Sequence, residues 1–133
     1  MEETKQTMTE TKPAIADRPK YILLEKTKSL HSFMHHIIDK FPKSQKFSLC
    51  QRIEDTLLEM IKLLIFQNYQ QTDEDRKRIM LNFLADSFLL DVLLSQSADF
   101  KYISFEEEHN CKTLLNEITN FASSRHTNLG GKK

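Results

Sequence analysis

The sequence has few residues that turn or break a chain. It holds two glycines, three prolines and no tryptophan in 133 residues. Sheets and turn-rich folds draw on such residues every few positions, so their scarcity favours long helices. Both glycines lie in HTNLGGKK at the C-terminus, which leaves none for a phosphate-cradling loop. Only two cysteines occur, Cys50 and Cys111, and no C-x-x-C pair. That excludes a disulfide framework, and both read as reduced core residues of a cytoplasmic protein. Charge of one sign is not in excess, since 19 Lys and Arg balance 19 Asp and Glu. A nucleic-acid role must therefore rest on local clusters. No apolar leader opens the chain, so no signal peptide is expected. The longest apolar stretch, Leu57 to Phe66, is shorter than a bilayer span of roughly 20 residues, and no membrane partner is expected.

Four stretches carry helical periodicity. The first, from about Arg18 to Lys40, aligns Leu23, Thr27, Leu30, Met34 and Ile37 in one stripe leading to Phe41. Pro42 ends it, because a residue before proline avoids the α region. The second, from about Ser44 to Tyr69, turns Cys50, Ile53, Leu57, Met60 and Leu64 inward. The third, from about Glu74 to Leu94, follows a cap at Thr72 or Asp73 and packs through Ile79, Met80, Phe83, Leu84, Leu90 and Leu94. The fourth, from about Phe105 to Ser123, opens on Ser104 with Glu107 three residues later, a capping box. Its inward residues are Cys111, Leu114, Leu115, Ile118 and Phe121. Short links at 41–43, 70–73 and 95–103 make neighbours antiparallel. The expected fold is all-α, an up-down-up-down four-helix bundle over residues 18–125. A disordered tail is expected at 1–17 and a flexible basic tail at 126–133.

The second helix is apolar nearly all round. Between Leu57 and Phe66 only Glu59 and Lys62 are polar. Beside its core stripe runs another, Leu58, Ile61 and Ile65, widened by Leu63 and Phe66. Such a helix is covered on more than one side. Either it is the most central helix of the monomer, or Leu58, Ile61 and Ile65 form an interface with another subunit.

Cations gather at both ends of the expected bundle. Lys40, Lys43, Lys46 and Lys101 share one end. Arg18, Lys20, Arg76, Lys77, Arg78 and Arg125 share the other, diluted by Asp73, Glu74 and Asp75. Each cluster is either a solvated surface or, repeated around an oligomer, a phosphate-binding one. Candidate nucleic-acid contacts are Lys43, Lys46, Arg52, Arg76, Lys77 and Arg78. Arg52 has a second reading, an ion pair with Asp55. His31 and His35 are four apart, but no third ligand lies near them in sequence, so no metal or cofactor is expected. Without a nucleophile elbow or paired carboxylates on an apolar face, no enzyme is expected either.

FPKSQKFSLCQRIEDTLLEMIKLLI, beginning at Phe41, carries a family resemblance. It resembles the accessory variability determinants (Avd) of diversity-generating retroelements in Phe41-Pro42-Lys43, Lys46, Leu49, Arg52-Ile53-Glu54, Leu57 and Leu63-Leu64. The later stretch ending near Leu115, Glu117 and Ile118 fits the same pattern, and the resemblance covers roughly residues 21–122. It implies a ring-like homopentamer that binds the element's reverse transcriptase and template RNA and enables mutagenic cDNA synthesis without being a catalyst. The chain departs from the family at Cys50, often Gly there, and at Asp86 and Asp91, where arginines are usual. Phe121 to Ser124 replace a Gly-Gly-Trp ending. The alternatives are the related four-helix family encoded in ribosomal RNA intervening sequences, and a plain oligomeric scaffold with no nucleic-acid role.

Overall fold

The computed structural model describes residues 19–129, with side chains from Ile22 onward. The expected N-terminal tail and residues 130–133 lie outside the described residues. Four helices follow one another: α1 (Pro19–Ile38), α2 (Leu49–Asn68), α3 (Asp73–Asp99) and α4 (Phe105–Asn128). A single 3-10 turn, Lys43–Gln45, sits between α1 and α2. No strand occurs among the described residues.

The helices form a square. α2 packs on α1 and α3, and α4 packs on α3 and α1, while the diagonal pairs make no Cα approach within 8 Å. Contacts between the helices fix the antiparallel register. Lys26 of α1, and Lys40 just past its end, pair with Glu117 and Glu107 of α4 respectively. Lys112 of α4 reaches Asp91 of α3 at 3.5 Å, and Thr119 donates to Ser87 Oγ at 3.3 Å. In each case rising numbers on one helix meet falling numbers on the other, as an up-down-up-down bundle requires.

The core stripes read from the sequence close on one another. Leu30, Met34, Ile53, Leu57, Met60, Phe83, Leu90, Leu94 and Ile118 have no exposed surface, and each contributes on the order of 1.5–3 kcal/mol by leaving water. Ile79, Leu114 and Phe121 are only partly buried at the edge of this core. Buried hydroxyls are satisfied within their own helices. Thr27 donates to Leu23 O, Thr56 to Arg52 O and Ser97 to Leu93 O, all at 2.8–2.9 Å. The fully buried Gln67 is the exception, with neither amide atom hydrogen-bonded among the described residues.

Several boundaries differ from the expected ones. α2 begins at Leu49, not Ser44, because residues after Pro42 close tight turns instead: Gln45 N–H donates to Pro42 O and Lys46 N–H to Lys43 O. Lys43 and Lys46 therefore stand on a turn ahead of the helix. α3 runs five residues past Leu94, to Asp99, since Ser97 is buried and bonded back to its own helix. α4 runs through Asn128, and Leu129 is buried with its N–H on Arg125 O, so residues 126–128 of the expected C-terminal tail continue the helix and Leu129 closes it. α3 is also long and apolar enough, by length and composition, to cross a membrane. Counting uninterrupted apolar residues misses this, because Asp86 and Asp91 break the run. Its inner face is the core of the bundle.

The end of α3 is closed by a lysine in the left-handed region. Lys101 has φ 65°. Its N–H donates to Ala98 O and that of Tyr102 to Ser97 O, the Schellman pattern that glycine favours. A side chain there costs about 1–2 kcal/mol.

At the start of α4 the capping box forms as expected. Ser104 Oγ accepts from Glu107 N–H at 3.0 Å, and a Glu107 carboxylate oxygen accepts from Ser104 N–H at 2.9 Å. The Lys40 ammonium, then the Ser104 N–H, hold the Glu107 carboxyl below the usual range. A depressed carboxyl stabilises the fold above its unfolded pKa, and that contribution is lost as pH falls through the folded one. Ser104→Ala is expected to lower stability by about 1 kcal/mol in denaturant titrations. Glu107→Gln is expected to flatten the loss of stability below about pH 4.

Candidate functional site

The cations at the two ends differ in what holds them. At the α2–α3 turn, Arg76 pairs with Asp73 and Arg78 with Asp75, each at 2.8 Å and three residues apart. Arg76 also donates to Gln70 O. The Arg78 guanidinium helps pull the Asp75 carboxyl below the usual range. Of the three candidates there, only Lys77 has no ion pair among the described residues.

At the opposite end, Lys43, Lys46, Arg52 and Lys101 have no ion pair among the described residues, and Lys40 alone is engaged, by Glu107. Asp55 accepts from Gln51 Nε2 at 3.0 Å, and no ion pair joins it to Arg52 among the described residues. Arg52 instead lines a cleft of about 360 Å³ between α2 and α3, together with Gln45, Ser48, Gln96 and Phe100. The structure thus brings Lys43, Lys46 and Arg52 to one end with Lys101, and keeps Arg76, Lys77 and Arg78 at the other. Helices of 20 residues separate the two groups.

The second stripe of α2 lies toward α1. Glu54 belongs to it, and its Oε2 sits 3.4 Å from His31 Nε2 and 3.6 Å from His35 Nδ1. Leu58, Ile61 and Ile65 continue from Glu54 at three- and four-residue steps. Leu58 is 50% exposed and Ile65 43%, with Ile61 half-buried. These residues do not belong to the monomer core. Leu63, grouped with them in sequence, is buried in the core instead.

α3 carries a larger stripe that the sequence reading missed. Leu81, Ala85, Phe88 and Val92 recur at four-three-four steps on its outer face, with Leu89 beside them. Phe88 is 63% exposed, Leu81 56% and Val92 51%. The signal stands in NFLADSFLLDVLL, as a stripe out of phase with Phe83, Leu90 and Leu94. Near the Lys43 end, Phe47, Phe100 and Phe105 are also exposed, and no periodicity marks them.

The acids on α3 have different neighbours. Asp91 is met by Lys112. Asp86 is half-buried, and its carboxyl is pushed above the usual range by burial and then by Glu59 of α2. The cysteines offer no nucleophile: burial pushes the Cys111 thiol up to about 12 and raises that of Cys50. Among the described residues no group of three metal ligands could hold an ion.

A family model described as bAvd-like matches residues 21–127, the whole of the bundle. The chain belongs to the bAvd-like family of accessory variability determinants. That family is an accessory, non-catalytic one, and membership points to the machinery of diversity-generating retroelements. Among solved structures, the bundle is similar to a protein of unknown function from the S23 ribosomal protein family of Bacteroides thetaiotaomicron VPI-5482. The TM-score is 0.75 at 14% identity, over 83% of this chain and 99% of that one. At that identity the likeness is one of fold. No match is found among curated proteins.

Proposed function

We propose that this chain is the non-catalytic accessory protein of a diversity-generating retroelement, acting as a homo-oligomer that binds the element's reverse transcriptase and template RNA in the cytoplasm. The observation that carries the reading is the family match across all four helices. Recovery of the cognate reverse transcriptase in an affinity pulldown after co-expression is the deciding experiment. Absence of recovery at low salt, with and without template RNA, overturns the reading in favour of a plain scaffold.

The contact with the polymerase is proposed at Asp86 and Glu59. A polymerase carries cations to hold nucleic acid, and a carboxyl pair suits it by charge. Asp91 is tied to Lys112 of another helix, whereas Glu59 meets only Lys62 among the described residues, three residues on in α2. Glu59→Lys with Asp86→Lys is therefore expected to abolish recovery while the oligomer persists. Equal recovery with the double variant moves the contact elsewhere.

The assembly is proposed to be a homopentameric ring. Two apolar stripes of unlike shape support it: an aliphatic one on the α1 side of α2, and a wider one with Phe88 on the outer face of α3. Joining unlike faces is a heterologous contact, which closes as a ring when its rotation allows. Light scattering is expected to report about five times the 15.7 kDa chain mass. Leu58→Lys with Ile65→Lys is expected to dissociate the assembly and keep helical circular dichroism, because both positions lie outside the monomer core. A monomeric wild type at micromolar concentration removes this part of the proposal.

RNA contact is proposed at Lys43, Lys46 and Arg52, whose charges are not spent on carboxylates. Arg76 and Arg78 are weaker candidates for the opposite reason. Affinity for template RNA is expected to fall steeply with salt, and the slope to shrink in Lys43→Glu with Lys46→Glu. An unchanged slope moves the surface to the Lys77 end.

A further inference from the structure

Three observations at the Lys43 end remain without a role. Phe47 is 92% exposed and Phe100 59%, in a bundle whose core already holds Phe41 and Phe83. The cleft that Phe100 lines has Arg52 as its one charged residue, Gln45 and Gln96 on its walls, and Leu49, Leu89, Val92 and Leu93 as its apolar side, so it adjoins the outer stripe of α3. Lys101 occupies a left-handed position where glycine would relieve strain.

Phe100 is not a stray ring. It packs on Tyr102 at 5.7 Å between centroids, and Tyr102 packs on the buried Phe41 at 5.4 Å. This chain of rings anchors an exposed aromatic face to the core. Phe47 sits between Gln45 and Ser48, and both of these line the cleft together with Phe100. Phe47 itself does not line the cleft; its ring stands exposed at the same end, where Lys43, Lys46 and Arg52 have no ion pair among the described residues. Lys101 lies apart from this cleft, in a neighbouring depression at the same end that Phe105, Asp99 and Glu108 also line.

Exposed aromatic faces interleaved with free cations are what unpaired nucleotides recognise. Bases stack on the rings while cations hold the phosphates. A duplex buries its base faces, so it engages the cations and leaves the rings idle. We infer that this end of the bundle binds unpaired nucleotides of RNA, with Phe47 and Phe100 stacking on bases, Arg52 and the two glutamines reading one base in the cleft, and Lys43, Lys46 and Lys101 taking the flanking phosphates. The inference rests on the RNA-binding reading above and adds the class of RNA and the residues that select it.

The test compares a labelled RNA single strand of about twelve nucleotides with a blunt RNA duplex of the same length, using the full chain and fluorescence anisotropy. The single strand is expected to bind more tightly. Phe47→Ala and Phe100→Ala are each expected to weaken it about tenfold or more, and to leave the duplex and the salt slope unchanged, because a ring neutralises no phosphate. Lys101→Gly is expected to raise the thermal midpoint while weakening binding, which a merely structural lysine would not do. If both RNAs bind equally and the phenylalanine variants keep them, stacking is overturned and the RNA-binding reading survives. If neither RNA binds the wild type, that reading fails and the inference falls with it. If Phe47→Ala dissociates the oligomer, the ring belongs to a subunit contact and the inference is overturned.

Discussion

Leu30 and Met34 of α1, Ile53, Leu57 and Met60 of α2, Phe83, Leu90 and Leu94 of α3, and Leu115 and Ile118 of α4 meet in a seam closed to water. Everything else in the molecule hangs on it. One stripe per helix is enough to close four helices on one another. With the seam filled, any further apolar residue on α2 or α3 has to face outward, and any polar group that enters must find a partner within its own helix. Thr27, Thr56 and Ser97 do so through the preceding turn. Gln67 does not among the described residues, and it sits at the far end of α2, away from the cleft at Arg52.

Because the seam uses one face only, the outer surface is free to specialise. α2 and α3 each present an additional apolar stripe. The charges sort in a similar way. Carboxylates three residues ahead quench Arg76 and Arg78, whereas the turn from Pro42 to Ser48 lifts Lys43 and Lys46 clear of any acid. A chain of zero formal charge thereby keeps Lys43, Lys46 and Arg52 without ion pairs among the described residues, at an end that also carries Asp99 and Glu106 to Glu108. Neutral composition and local phosphate affinity are compatible for that reason.

The turns supply the chemistry because they are released from the packing constraint. Lys101 closes α3 in a conformation that a glycine would adopt more cheaply, and Phe47 and Phe100 lie beyond the periodic stripes. The bAvd-like family membership accounts for a small all-helical accessory protein.

The sequence by itself determined the helices, their order and most of their inward faces, because three- and four-residue spacing, Pro42, Thr72 and the Ser104–Glu107 box act through neighbours a turn away. It also marked Leu58, Ile61 and Ile65 as a second stripe, for the same local reason. It misplaced the start of α2 and the ends of α3 and α4, where tight turns after Pro42 and the burial of Ser97 and Leu129 prevailed over local pattern. Only the tertiary structure decided which cations stay free. Arg52 lines a cleft with Gln96 instead of pairing with Asp55, and that depends on how α3 lies against α2. Spacing along one helix cannot encode that, because it is set by the approach of side chains far apart in the chain.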